Sequence, residues 1–316
     1  MNNNYYLPEG RLIYTSENQS CLSTLTGLER AMREGRILES TALMCDEELN
    51  IHVDLYGIHG IIPREECLLL GKNESMKDIA IISRVGKPVC FKILAIENVS
   101  GTPRAILSRK AAQVECKNYY LSSLHPGDII PATVTHLDTF GAFVDIACGM
   151  ISLLSIDCIS VSRISHPADR LYSGMNLSVV VKSNDPETGR IYVTLKELLG
   201  TWEENANEFC AGQTVSGIVR SIESYGVFVE LAPNLAGLAE HREDNHIFRN
   251  LSVGSGVSVY IKSIIPERMK IKLVIIDLTP TPQSSIEYFI DTGSVERLDS
   301  WRYSPSLCPR IIETVF

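Results

Sequence analysis

Residues 133–146 read Thr-Val-Thr-His-Leu-Asp-Thr-Phe-Gly-Ala-Phe-Val-Asp-Ile, and after Gly141 the side chains alternate with a period of two. That period predicts a strand with Ala142, Val144 and Ile146 on one face and Phe143 and Asp145 on the other. The first set is small and apolar and makes the core face, so Phe143 stands where a polar side chain is expected. Gly141 breaks the phase between Phe140 and Phe143, as a glycine does at a bulge or bend, and this brings both rings to one surface. Two rings on an outward face want a partner, and that surface is the candidate site.

The same pattern is written again downstream. At 218–231, Ile-Val-Arg-Ser-Ile-Glu-Ser-Tyr-Gly-Val-Phe-Val-Glu-Leu puts Val227, Val229 and Leu231 inward and Phe228 and Glu230 outward, with Tyr225 in the place of Phe140. The interval from Gly127 to Gly141 equals that from Gly212 to Gly226, and the interval from Gly174 to Lys182 equals that from Gly254 to Lys262. A weaker copy lies at Leu49-Asn-Ile-His-Val-Asp-Leu, where Ile51, Val53 and Leu55 keep the inward series. His52 there replaces the second ring and Asn50 the bend glycine, asparagine being the residue that best tolerates a left-handed backbone after glycine.

Around these copies the pattern divides the chain. Residues 1–34 predict a flexible or loosely docked arm and a short helix, opened by a capping box at Thr26-Gly-Leu-Glu29 and stopped by Gly35. Repeat one spans 35–110, with strands at Ile37–Met44, Asn50–Leu55 and Gly60–Ile62 and two more opening near Gly86 and Pro103. A linking helix at 111–124 leads to repeat two, 125–197, with strands at 129–137, 142–147, 150–156, 176–183 and 190–196. A second linking segment, 198–211, carries the capping box Thr201-Trp-Glu-Glu204, and repeat three follows at 212–277. The tail, 278–316, recovers apolar character and is expected to dock on the third repeat. Five short strands with a longer connection between the third and fourth, written three times, predict a mainly β fold of three tandem OB-type barrels joined by short helices.

Charge and chemistry narrow the function. A net charge of −9 argues against coating duplex phosphate, whereas single strands can be held by aromatic stacking with few cations. The longest apolar runs, such as Val257–Ile265, fall short of the ~20 residues that cross a bilayer. The first ten residues lack the basic and apolar regions of a signal peptide, so a cytoplasmic protein without membrane attachment is expected. Nine cysteines at irregular spacing, with no Cys-x-x-Cys pair, predict neither a disulfide framework nor a zinc site. His241 and His246 lack a third ligand, and His52 and His59 read as structural. No phosphate loop, nucleophile elbow, dinucleotide fingerprint or His-Glu-x-x-His occurs, so neither an enzyme nor a cofactor is expected.

Gly127-Asp-Ile-Ile-x-x-Thr-Val, Phe140-Gly-Ala-Phe-Val-Asp and Asp185-Pro-Glu-Thr-Gly-Arg-Ile-Tyr-Val-Thr-Leu-Lys196 resemble the S1 RNA-binding domain, the repeat named for the first protein of the small ribosomal subunit. Repeat three matches at Gly212-Gln-Thr-Val-x-Gly, Tyr225-Gly-Val-Phe-Val-Glu and Ala236-Gly-Leu, and repeat one in Val53-Asp-Leu-Tyr-Gly-Ile-His-Gly-Ile-Ile-Pro63. The resemblance covers roughly residues 35–277. It implies single-stranded RNA on the outer face of the second and third strands, with the family's two aromatics falling on Phe140 and Phe143 and again on Tyr225 and Phe228. A histidine common on the family's third strand is absent: repeat two has Ser155 there and repeat three Glu240. Arg163 and His166 are the candidates to replace it.

The remaining candidate contacts are basic: Lys182, Arg190, Lys262, Lys270 and Lys272. Each lysine has a competing role as a solvated or edge-guarding charge, and each ring a competing role in packing. The expected function is binding of unstructured mRNA near the small ribosomal subunit. The alternative is an adaptor that docks a ribosomal or RNA-decay partner through a degenerate barrel, repeat one above all.

Overall fold

The computed structural model describes residues 6–71, 75–99, 101–240, 250–282 and 286–316, and within them the chain builds three closed five-stranded barrels in series. The first holds β1 (Leu38–Cys45), β2 (Ile51–Leu55), β3 (Ile58–Ile62), β4 (Pro88–Val99) and β5 (Thr102–Ser108). The second holds β6 (Ile129–Asp138), β7 (Gly141–Ala147), β8 (Met150–Ser155), β9 (Asn176–Asp185) and β10 (Arg190–Thr194). The third holds β11 (Thr214–Glu223), β12 (Gly226–Ala232), β13 (Leu235–Glu240), β14 (Gly256–Ile265) and β15 (Lys270–Thr279). In each, the first three strands form an antiparallel meander, the fifth runs parallel to the third, and the fourth closes on the first. This is the OB architecture that the alternation predicts. Ala142, Val144 and Ile146 in the second barrel and Val227 and Val229 in the third are buried in its core.

The glycine at the bend has a different role from the one expected. A Cβ on Gly141 would stand 2.6 Å from the Leu154 carbonyl oxygen, and one on Gly226 2.5 Å from that of Ala239. Close approach of the neighbouring backbone, not a bulge, therefore requires glycine. The bulge lies on the facing strand, where the register slips between Val134 and His136 and between Val219 and Ser221. At the corresponding bend of the first barrel it is Leu49 (φ 65°), one position before Asn50, that is left-handed.

Five helices punctuate the described residues: α1 (Ser16–Leu22), α2 (Leu25–Glu34), α3 (Asp78–Ile82), α4 (Arg109–Ser123) and α5 (Trp202–Asn207). The hydroxyl that caps α2 belongs to Thr24, not Thr26, while Gly35 ends it at φ 64°. α5 begins with the capping box of Thr201 and Glu204.

From Tyr6 onward the arm is tied down rather than loose. The Glu39 carboxylate accepts the backbone N–H groups of Gly10, Leu12 and Ile13, and Leu7 accepts from the Cys148 N–H. The tail departs from docking on the third barrel alone. Residues 286–298 run over the second barrel, with backbone bonds from Phe289 to Leu198 and from Leu298 to Gly127. A small hairpin of β16 (Ser300–Arg302) and β17 (Glu313–Val315) then carries Trp301 and Tyr303 into the core of the third.

Candidate nucleic-acid interface

β7 and β12, each with the turn residue just before it, bring two rings together. Phe140 and Phe143 meet edge to face with centroids 5.8 Å apart, and Tyr225 and Phe228 do so at 6.2 Å. Phe140 is 50% exposed and Tyr225 61%, and in each pair the second ring is half-buried. Phe140 and Tyr225 stand in the turns that precede these strands, outside the pleat that would set residues three apart on opposite faces, and the glycine between the rings lets the strand press against its neighbour without a side chain intervening.

Register places each second ring in a row that crosses the barrel. In the second barrel the row runs His136, Phe143, Leu153, Tyr192 over β6, β7, β8 and β10. In the third it runs Ser221, Phe228, Leu238, Lys272. His136 is exposed and lies nearly parallel to Phe143, 21° between planes and 6.1 Å between centroids. The sequence reading missed His136 and Tyr192. Their outward phase was legible within each strand, but their adjacency to Phe143 exists only once strands distant in the chain are paired.

Among the other candidates, Lys272 shares the row of Phe228, and Arg163, Arg190, Lys262 and Lys270 are exposed. Lys182 is exposed but donates to the Cys158 sulfur at 3.2 Å, an interaction that raises its pKa. His166 is committed to local structure: its Nδ1 accepts from the Ala168 N–H at 3.1 Å and caps a short turn, with Asp169 reciprocating. That bond occupies one of the two ring nitrogens that would have replaced the missing histidine.

Two outward acids are not solvated as the alternation implies. Asp145 is buried and accepts the N–H groups of Glu9 (2.8 Å), Ala147 and Gly149 (both 3.0 Å). Burial, with the Glu9 carboxylate adding to it, pushes the Asp145 carboxyl well above the ordinary carboxylate range. Glu230 is buried between Arg170 and Arg220. On both barrels the outer face is therefore divided, with rings left open toward one end of the strand and an inter-segment joint closing the other.

The first barrel lacks the ring pair. His52 takes the position of Phe143, and its Nδ1 lies 2.9 Å from His59 Nε2 while its Nε2 lies 2.8 Å from Asp46 Oδ2. The hydrogen bond from His52 holds the Asp46 carboxyl at about 2, and burial, aided by His52 and Arg104, lowers His59. The first barrel also exposes Leu43, Met44, Tyr56 and Leu94.

Among the described residues, no group of three or more His, Cys, Asp or Glu side chains is placed to hold a metal, and no helix is long and apolar enough to cross a membrane. His241 and His246 lie outside the described residues.

Closed OB barrels repeated in series, two of them turning paired rings outward from the same strand, define a protein of tandem RNA-binding-type domains. Residues 123–196 match the S1 RNA binding domain family. The chain is 31% identical over 263 residues to the small ribosomal subunit protein bS1 of Leuconostoc lactis, covering 79% of this chain and 58% of that protein. It is 34% identical over 233 residues to the bS1 homolog of Bacillus cereus, covering 71% and 58%. A crystal structure of a multidomain protein with nucleic acid binding domains from Streptococcus pneumoniae TIGR4 matches over 82% of this chain and 77% of its own at 14% identity and TM-score 0.24, a likeness too slight to argue from. The chain belongs to the S1-domain family and is homologous to the bS1 ribosomal proteins. It spans about half the length of the curated relatives it matches.

Proposed function

We propose that the protein binds single-stranded RNA on the outer faces of its second and third barrels and acts in the cytoplasm in translation, holding unstructured mRNA near the small ribosomal subunit. The observation that carries this reading is the ring pair repeated on β7 and β12, with Phe140 and Tyr225 open to solvent. Rings on an open face stack on unpaired bases, which a duplex does not present. The net charge of −9 adds to the argument, because a regular helix of phosphates calls for a basic surface. Kinship with ribosomal proteins supports the place of action. Titration of the full chain with labelled single-stranded RNA and a duplex of the same length tests the reading. Preference for the single strand is expected, and equal or tighter binding to the duplex overturns it.

A second reading, docking of a protein partner such as the small ribosomal subunit, is favoured at the first barrel by one observation. That barrel lacks the ring pair and exposes the apolar side chains of Leu43, Met44, Tyr56 and Leu94. A Leu43→Asp, Met44→Asp variant then keeps its RNA affinity and loses co-sedimentation with ribosomal subunits. Unchanged co-sedimentation removes this reading.

A further inference from the structure

The cross-barrel rows differ at both ends. In the second barrel the row is closed by His136 on one side and Tyr192 on the other, so that three of its four side chains are rings, with Phe140 standing beside them. In the third, the same two positions hold Ser221 and Lys272. The end members of the two rows, Tyr192 on β10 and Lys272 on β15, project outward, since Ile191 and Val193 flanking Tyr192, and Ile271 and Leu273 flanking Lys272, are buried. The row spans three inter-strand gaps, about 14 Å, enough for more than one base.

The basic residues divide in the same sense. In the second barrel Arg190 is paired in backbone register with the acidic Asp185, and the Lys182 ammonium is drawn to the Cys158 sulfur. In the third barrel the partner of Lys270 in register is Ile265, and Arg268, Lys270 and Lys272 are all exposed.

We infer that the two barrels grip RNA by different physical means: Tyr192 is a further base-stacking ring of the second barrel, and Lys272, at the equivalent position, is a phosphate contact of the third. This rests on the RNA-binding reading above and divides the work within it. Stacking is nearly indifferent to salt, whereas each phosphate contact on a single strand adds about −0.7 to the slope of log affinity against log salt. One position in the row therefore decides whether a barrel contributes to salt-resistant or salt-sensitive affinity.

The test is an exchange of the two residues in the full chain, read with a labelled oligouridylate across a potassium chloride series. Lys272→Tyr is expected to make the slope shallower by about 0.7, and Tyr192→Lys to make it steeper by about 0.7. Tyr192→Lys also weakens binding at high salt by roughly five- to a hundred-fold, and Tyr192→Phe, which keeps the ring, restores it. Lys272 is exposed, so Lys272→Tyr decides the matter even where a substitution at half-buried Tyr192 disturbs folding. If the parent binds the oligonucleotide and Lys272→Tyr keeps the parent slope, the division of labour is wrong while RNA binding stands. If the parent does not bind single-stranded RNA, the reading beneath it falls.

Discussion

Arg170, from the long connection of the second barrel, grips Glu230 of the third with both prongs of its guanidinium, at 2.8 Å and 2.6 Å, in a site from which solvent is excluded. Arg220 approaches the same carboxylate at 2.6 Å, and Ser160 Oγ accepts from Arg170 Nε at 2.9 Å. Glu230→Ala removes the carboxylate that both arginines share, Arg220 keeping its 3.4 Å approach to Asp169, and breaking such a buried pair costs about 3–5 kcal/mol. Arg170→Ala costs less, because Arg220 still faces Glu230. Urea unfolding of the two variants checks the order; equal losses contradict it.

The rings give a second prediction. Phe143→Ala and Phe228→Ala weaken binding of single-stranded RNA roughly five- to a hundred-fold, the worth of one stacked base. Both rings are half-buried, so each change also costs stability, about 1–2 kcal/mol against the 3–5 kcal/mol of a ring deleted from a core. A folded double variant that binds RNA as the parent does leaves the faces without a role.

Salt dependence of the parent is the third. With few candidate cations, exposed Arg190, Lys262, Lys270 and Lys272 chief among them, three or four phosphate contacts give a total slope near −2 to −3, at about −0.7 each. A slope near −6 implies a basic surface elsewhere.

The fourth concerns acid. The folded pKa of His59 lies below the ordinary 6.5 and that of Asp46, at about 2, below the ordinary 3.8. Both shifts favour the deprotonated form in the folded state, so the unfolded chain takes up protons first as pH falls. The contribution of His59 is present above about 6.5 and is lost as pH drops through its lowered value; that of Asp46 is lost between about 4 and 2. His59→Gln is expected to flatten the upper part of a stability–pH curve and leave the lower part. A curve with the parent's slope just below pH 6.5 rejects this.

Much of this architecture was legible because it is local. Alternation around Gly141 and Gly226 gave the strand faces, and equal glycine intervals gave the repeat. What stayed hidden depends on partners far along the chain. Asp145 and Glu230 have the phase of solvated acids, yet one is covered by the backbone at Glu9 and the other by Arg170, neither of which the strand announces. Tyr192 became part of the site only through its parallel register with Leu153. The capping box at Thr26 was expected to open α2, yet the helix starts two residues earlier, where the Thr24 hydroxyl accepts the Gly27 N–H.

The tail that crosses the second barrel before closing on the third, together with the Arg170–Glu230 joint, leaves these two barrels no free hinge. With RNA bound as proposed above, a strand that reaches from one face to the other meets a ligand of fixed span, and its second contact forms without the search that a flexible tether imposes. Below that span the two faces act as separate weak sites; beyond it they multiply. Affinity becomes a ruler, stepping upward at one RNA length set by the distance between the ring pairs.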